Sequence, residues 1–150
     1  MKKLLVEEMG RFEADHQPAL LRRTGELFGR LTEGRYTAVR HRVGSNELAA
    51  VDSSERALSP EQLSTGARQQ LYVALRLAYI DHYARQSEPL PIILDDVLVN
   101  FDDPRALAAL ETLNEFSEAH QVLFLTCHEH LVEMARQVQS DLTLFEIAAI

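Results

Sequence analysis

The stretch "IILDDVLVNFDDPRALAALETLNEFSEAHQVLFLT", residues 92–126, decides the fold. It opens with a short apolar run that ends in carboxylates, which is typical of a strand buried on both faces. A helix is predicted from Pro104 to about Ala119, with Asp102 or Asp103 as its cap. The run "QVLFLT" then repeats the buried-strand pattern. Strand, helix and strand in this order predict a parallel pair joined by a crossover helix.

The residues on either side extend this pattern. One long helix is predicted from Ser64 to Gln86, apolar around much of its circumference and therefore largely covered. Before it, "EGRYTAVRHRVGSNELAAVDSS" predicts two antiparallel strands joined at a Gly-Ser-Asn turn, and the first 30 residues have a helical pattern. After the central stretch come a helix, "HEHLVEMARQ", and a final strand, "LTLFEIAAI". We predict an α/β fold with a mostly parallel sheet and crossover helices, preceded by a helical segment and a β-hairpin.

The composition fits one water-soluble domain. The chain has 150 residues, of which 46% are hydrophobic and 25% charged. Its net charge of −8 argues against a protein whose main role is to coat nucleic acid, although a basic patch (Arg30, Arg35, Arg40, His41 and Arg42) raises DNA contact as the alternative to a solvated sheet face. A single cysteine, Cys127, excludes an internal disulfide. With no apolar stretch of membrane-spanning length and no signal peptide, a cytoplasmic location without membrane contact is expected.

Both predicted parallel strands end in residues that can carry chemistry. The first ends at Asp95 and Asp96, and the second at Thr126, Cys127 and His128. Ligands of open α/β sheets gather at the carboxyl ends of strands. Beside a nucleotide, one carboxylate can hold Mg²⁺ and a second can orient or deprotonate an attacking water, while a histidine can contact the phosphoryl group.

The long helix raises a separate question, because it begins with the polar residues Ser64, Thr65 and Gly66. Serine is a common helix cap, since its oxygen accepts hydrogen bonds from free amides. The same amides and the helix dipole also attract anions, so a phosphate site is the alternative. The triplet His128-Glu129-His130 brings zinc to mind, but its spacing does not put both rings on one helix face. A magnesium-dependent diphosphate enzyme using Asp95-Asp96 and Asp102-Asp103 is a further alternative.

Four motifs, in this order, resemble those of ABC-type ATPases. "LSTGARQQLYVALRLA" resembles the signature motif, "PIILDD" the Walker B strand, "VNFDD" the D-loop and "VLFLTCH" the switch-histidine strand. "LFGRLTEGRYTAVR" and "ILDDVLVNFDD" resemble the SMC-like branch, in particular SbcC-type and YhaN-like proteins. The resemblance covers roughly residues 20–140. It implies one half of a P-loop NTPase head: residues 31–150 as its C-terminal lobe, and residues 1–30 as the returning end of a coiled coil.

The resemblance also implies a role for each matching residue. In this family two heads enclose two ATP molecules, so Ser64 and Gly66 would contact the γ-phosphate held by a partner head. Gln69 and Gln70 match positions on the signature helix, with Gln69 as a nucleotide-binding candidate. The family pattern makes Asp95 the magnesium ligand and Asp96 the catalytic carboxylate, where glutamate is more frequent. Asp102 matches the D-loop aspartate and His128 the switch residue.

One motif of the family is missing. No glycine of the chain begins the pattern G-x-x-x-x-G-K-[ST], whose amides and lysine hold the β and γ phosphates. ATP hydrolysis would therefore need an N-terminal Walker A lobe, in the same or a separate chain, and a head-to-head homodimer with ATP and Mg²⁺. The family implies DNA and a nuclease as further partners, in DNA repair or chromosome maintenance. A non-catalytic dimerisation or interaction module is the alternative.

Overall fold

The computed structural model describes residues 19–41 and 47–147. They fall into two compact units, the first ending at Leu90 and the second beginning at Pro91. Residues 19–31 form a helix of the first unit, and the assignment of residues 1–30 to the end of a coiled coil stays a prediction.

The first unit contains two long helices and a three-stranded antiparallel sheet. Its elements are α1 (residues 19–31), β1 (Tyr36–His41), β2 (Leu48–Asp52), β3 (Ala57–Leu58), a 3-10 turn (Pro60–Gln62) and α2 (Thr65–Ala84). In the sheet, Val39 lies opposite Ala50 and His41 opposite Leu48. The predicted antiparallel pairing of the two strands is confirmed, while the predicted Gly-Ser-Asn turn between them falls outside the described residues. The short strand β3, which pairs with β2, was not predicted.

The sequence pattern predicts one face of α1 formed by Leu20, Thr24, Leu27 or Phe28, and Leu31, and this face is buried except at Leu20, which is half-buried. Thr24, Leu27, Phe28 and Leu31 have no exposed surface. Gly25 lets the helix approach β1 closely, because a Cβ atom at this position would lie 3.0 Å from the backbone nitrogen of Val39. A contact this short is tighter than nine in ten that real Cβ atoms make, so glycine at this position suits the close packing of α1 on the hairpin.

Helix α2 begins at the predicted place but is less covered than predicted. Its N-cap is Ser64, and Arg23 of α1 forms an ion pair with Asp81 at 3.0 Å. Tyr72, Tyr79 and Tyr83, at helical spacings of seven and four, are 55%, 59% and 40% exposed. The prediction of a largely covered helix is therefore wrong on this face, where the tyrosine hydroxyls can remain hydrated.

The second unit contains the parallel pair. Its elements are β4 (Ile92–Asp95), α3 (Asp103–Ser117), β5 (Val122–Leu125) and α4 (Glu129–Val138). Ile92 lies opposite Val122 and Asp95 opposite Leu125, with the strands parallel. Helix α3 connects the two strands and packs against α4 and β5. The predicted α/β class, with a parallel pair and its crossover helix preceded by a helical segment and a hairpin, is confirmed.

The predicted final strand is wrong over the residues that the structure describes. Residues 142–147 form no strand, and Phe145 and Ile147 are 81% and 85% exposed. A strand is stabilised by pairing and by burial of one face, and this segment has neither in the described structure.

Among the described residues, none of the helices combines the length and apolarity that crossing a bilayer requires.

Candidate functional site

The carboxyl ends of β4 and β5 lie side by side, which places the residues that follow them at one edge of the sheet. The backbone amide of Asp96 donates to the carbonyl of Leu125 at 3.0 Å, so the parallel ladder continues one residue past β4. The segment Thr126–His128 follows Leu125 directly. The predicted meeting of the Asp95-Asp96 pair with the end of the neighbouring strand is therefore observed.

Asp96 has a left-handed backbone conformation, with φ at +48°. Aspartate adopts this region more readily than most residues, but at a cost in free energy. The turn ends the alternation of β4 and lets the carboxylate reach β5: the amide of Cys127 donates to Oδ1 at 3.3 Å, and the Cys127 thiol donates to Oδ2 at 3.6 Å. Strained backbone at a chemically equipped strand end favours a functional role.

The surroundings of Asp96 lower the pKa of its carboxyl group. The hydroxyl of Thr126 contributes most, followed by the amide and thiol of Cys127 and by the charge of His128, against an opposing effect of burial. These donors stabilise the carboxylate form. Asp96 is therefore ionised at neutral pH and can accept a hydrogen bond from a water molecule.

Asp95 is exposed at the end of β4, on the same sheet face as Ile93. An accessible carboxylate at a strand end supplies the oxygen ligand that Mg²⁺ prefers while leaving room for the waters the ion retains. Asp95 therefore fits the magnesium role that the motif implies.

His128 stands between β5 and α4. It occupies the N-cap position of α4, but its side chain makes no capping hydrogen bond. Its backbone amide donates to the hydroxyl of Thr126 at 3.1 Å, which fixes the start of the helix, and its half-buried ring lies 5.7 Å from that of His130. A ring nitrogen of His128 and a carboxylate oxygen of Asp96 lie within 4.8 Å of each other. The ring is therefore available to a ligand at the sheet edge.

Asp102 has the structural role that its sequence context predicted. It caps α3 by accepting a hydrogen bond from the amide of Arg105 at 3.2 Å, and its carboxylate pairs with the Arg105 guanidinium at 3.3 Å. Its side chain is 54% exposed. One oxygen serves the helix and the other pairs with Arg105, but the exposed side chain leaves room for a contact across a dimer.

The signature residues lie in the first unit, and the cap explanation for Ser64 is correct in this structure. The Ser64 hydroxyl accepts a hydrogen bond from the amide of Ala67 at 3.2 Å. Gly66 lies in the first turn of α2, whose amides have no partners within the helix. The hydroxyl proton of Ser64 can still be donated, so capping does not exclude phosphate binding.

The adjacent glutamines have different environments. Gln70 is 1% exposed, and its amide donates to the carbonyl of Leu31 at 3.0 Å, which ties α2 to the end of α1. Gln69 lines a cleft of about 460 Å³ together with Leu48, Pro60, Thr65, Arg68, Leu71, Tyr72 and Leu75. Its side-chain oxygen is buried there without a hydrogen-bond partner. Gln70 therefore ties α2 to α1 through its amide nitrogen, while its side-chain oxygen, like that of Gln69, is buried without a hydrogen-bond partner.

Sequence reasoning placed Cys127 at the end of the second strand and used it to exclude a disulfide, but gave it no role in the site. The structure brings it into contact with Asp96, although the two residues are 31 positions apart. Two consecutive parallel strands ending in polar residues are the signal that could have identified the contact, because their ends must lie at one edge.

One face of the parallel pair is exposed and apolar. Ile93, Leu123 and Leu125 are 65%, 43% and 40% exposed. Parallel sheets are usually covered on both faces, since their strands are apolar on both sides. This face has the composition of a surface that another protein segment covers.

The chain has a clear sequence relative among known proteins. The chain is 34% identical over 133 residues to the uncharacterized protein YhaN of Bacillus subtilis (strain 168), an alignment that covers 87% of this chain and 14% of YhaN. The chain thus spans about a seventh of that relative's length. No protein-family model matches the chain.

Solved structures of SMC heads share the fold. A chain from a study of ATP-driven dimerization and DNA-stimulated activation of SMC ATPases superposes with a TM-score of 0.67 at 18% identity, covering 84% of this chain and 77% of that one. The Smc head domain derived from Pyrococcus furiosus, bound to the C-terminal domain of ScpA, gives 0.63 at 18% identity, with coverage of 89% and 36%. The chain therefore has the fold of SMC head domains and is similar in sequence to a segment of YhaN, which together with the motif order supports its interpretation as a C-terminal lobe of an SMC-like ABC-type ATPase head.

Proposed function

We propose that this lobe supplies the signature, Walker B, D-loop and switch-histidine motifs for ATP binding and hydrolysis at an interface between two heads. The observation that carries the proposal is the shared sheet edge at which Asp95 ends one strand, Asp96 follows it and His128 lies beyond the end of the adjacent parallel strand. Two carboxylates and an imidazole at the end of a parallel sheet suit phosphoryl transfer to water.

Each residue at this edge has a distinct task. Asp95 holds Mg²⁺, which when bound neutralises charge on the phosphate oxygens. Asp96 is kept ionised by its neighbours and orients the attacking water through a hydrogen bond. His128 donates a hydrogen bond to the phosphoryl oxygens. Asp102, on the exposed start of α3, contacts the opposite head.

The start of α2 serves the nucleotide of the partner head. Ser64 donates its hydroxyl proton and Gly66 its amide to the γ-phosphate, and the helix dipole adds to the attraction. Gln69, which matches a position on the signature helix and lines the cleft beside it, is the further nucleotide-binding candidate. The capping bond to Ala67 holds Ser64 in place for this contact.

The missing phosphate loop comes from an N-terminal lobe. The exposed apolar face formed by Ile93, Leu123 and Leu125 supports such a partner, because covering it would complete the parallel sheet. Two such heads then form an ATP-bound dimer, and the cycle acts on DNA in repair or chromosome maintenance.

Reconstitution tests the proposal. This chain is mixed with a separately expressed N-terminal lobe bearing G-x-x-x-x-G-K-[ST], and ATP turnover is measured with Mg²⁺. We expect no turnover from either part alone and turnover from the mixture. Asp96→Asn should lower the rate of the mixture by about 100-fold or more, as expected for loss of a general base.

A matched control is Asp141→Asn, which makes the same charge change at an exposed residue of the same unit. It should retain the rate of the unaltered mixture. Equal rates for the Asp96 and Asp141 variants would exclude Asp96 from hydrolysis. A stable dimer that forms without nucleotide, in a mixture with no turnover, would favour the alternative of a non-catalytic interaction module that uses the exposed apolar face.

A further inference from the structure

Three different metal-ligating groups meet at the end of the parallel pair. A carboxylate oxygen of Asp96, the sulfur of Cys127 and a ring nitrogen of His128 all lie within 4.8 Å of one another. They come from the ends of two strands, so chain proximity alone does not explain the cluster. This set of ligands differs from the His128-Glu129-His130 triplet considered above as a zinc site, because it combines one histidine with a thiol and a carboxylate.

The spacing suits a tetrahedral metal ion. The Cys127 sulfur lies 3.6 Å from Oδ2 of Asp96. Bond lengths of about 2.3 Å to sulfur and about 2.0 Å to oxygen place two ligands of tetrahedral Zn²⁺ about 3.5 Å apart. This pair is therefore already at the required separation, and a ring nitrogen of His128 lies within 4.8 Å of both atoms. Three protein ligands and one open position are the arrangement of zinc sites that bind water or substrate.

The ligand types select against Mg²⁺. Thiolate and imidazole favour Zn²⁺ and other thiophilic ions, whereas Mg²⁺ prefers oxygen ligands such as Asp95. Cys127 is exposed and Asp96 and His128 are half-buried, so an ion can reach the cluster from solvent.

We propose that Asp96, Cys127 and His128 bind one thiophilic divalent cation, with Zn²⁺ as the preferred ion, and that this cation switches off ATP hydrolysis by engaging Asp96 and His128. The second clause rests on the function proposed above. On binding, the Cys127 thiol releases its proton to solvent and sulfur becomes a metal ligand, without any change of oxidation state.

Metal titration of the 150-residue chain tests binding without any nucleotide. Zn²⁺ affinity is measured by competition with a chromophoric chelator, and Co²⁺ is added as a spectroscopic probe. We expect one ion per chain, a thiolate-to-cobalt charge-transfer band in the near ultraviolet, and no displacement by excess Mg²⁺. Cys127→Ser should remove the band and weaken Zn²⁺ binding by about 100-fold or more.

His130→Ala is the matched control for His128→Ala, because His130 is an exposed histidine two residues further on. His128→Ala should weaken Zn²⁺ binding and His130→Ala should leave it unchanged. A Co²⁺ spectrum without the thiolate band, unchanged affinity in Cys127→Ser, or equal losses in the two histidine variants would each overturn the site.

Inhibition is measured in the reconstituted head as the ratio of turnover with and without Zn²⁺, for the unaltered chain and for Cys127→Ser. We expect the ratio to fall for the unaltered chain and to stay near one for the variant. Equal ratios would overturn the regulatory role. Metal binding without any turnover of the reconstituted head would instead refute the proposed function and leave the metal site standing.

Discussion

The carboxylate of Asp96, at the end of β4, accepts a hydrogen bond from the amide of Cys127, which follows β5. This contact joins the two strand ends and aims the carboxylate along the sheet edge. The left-handed backbone conformation of Asp96 lets its carboxylate reach the amide of Cys127. The aspartate is thus held by its neighbours in an ionised state before any ligand arrives.

Thr126→Val should raise the pKa of Asp96, because the hydroxyl of Thr126 is the largest of the influences that lower it. The carboxyl titration of Asp96 can be followed by NMR with labelled aspartate. In the reconstituted head, the acid limb of the pH–rate profile should move to higher pH in the variant. Thr143→Val, at an exposed position, is the control. An unchanged Asp96 titration in Thr126→Val would contradict the assignment.

Two substitutions at Ser64 separate capping from phosphate binding. Ser64→Ala removes the bond to Ala67 and should lower the free energy of unfolding by about 1 kcal/mol. Ser64→Asn restores a capping acceptor and should recover most of this stability. Neither variant restores the serine hydroxyl, so both should lack turnover in the reconstituted head. Full turnover with Ser64→Asn would show that the hydroxyl acts only as a cap. Stability is measured by urea unfolding.

Leu123→Lys should distinguish folding from partner binding. Leu123 is 43% exposed, so a lysine there should change the free energy of unfolding of the chain by less than about 0.5 kcal/mol. The buried charge should instead block association with the N-terminal lobe, as measured by sedimentation or calorimetry. Tyr79→Lys, at a position on α2 that is 59% exposed, should leave association intact. Equal association of both variants would remove this face from the interface.

Asp52 should give the chain an acid-sensitive part of its stability. Its carboxylate accepts hydrogen bonds from the amides of Ser54 and Arg56 at 2.9 and 3.0 Å and pairs with the Arg56 guanidinium at 2.7 Å. The Arg56 amide is the main influence that lowers the pKa of Asp52 below its usual value of 3.8. A lowered pKa in the folded state means that the contribution is complete above the unfolded-state pKa and lost as pH falls through the folded-state pKa.

Asp52→Asn should therefore be less stable than the unaltered chain at neutral pH and should lose less stability on acidification. Urea unfolding at a series of pH values between neutrality and about pH 2 measures both effects. Glu55→Gln, at an exposed residue of the same turn, is the control and should retain the acid dependence. Parallel stability profiles for the unaltered chain and Asp52→Asn would contradict this account.

The sequence predicted those elements whose signals are local. The cap at Ser64, the proline after Asp103 and the apolar runs of β4 and β5 each set a boundary through nearby atoms, and the structure has these elements close to the predicted positions. Strand β3 was missed because two residues carry too little periodicity to detect. The final strand was wrongly predicted because apolar alternation indicates β propensity but supplies no partner strand.

The candidate site was only partly predictable for a different reason. Asp95, Asp96 and His128 could be located because strand order predicts which ends meet. The contact between Cys127 and Asp96 depends on a left-handed residue and on the orientation of one side chain, which no periodicity encodes. The difference between the buried Gln70 and the cleft-lining Gln69 likewise depends on a tertiary contact, the hydrogen bond from Gln70 to the carbonyl of Leu31.

The close approach at Gly25 couples the positions of α1 and β1. With the helix backbone resting almost directly on the backbone of Val39, no flexible side chain lies between them to absorb a displacement. A displacement of α1 is therefore expected to move the hairpin with it. Gly25→Ala would move the helix and β1 apart by a few tenths of an ångström. It would weaken the coupling between their displacements without altering any residue of the proposed chemistry.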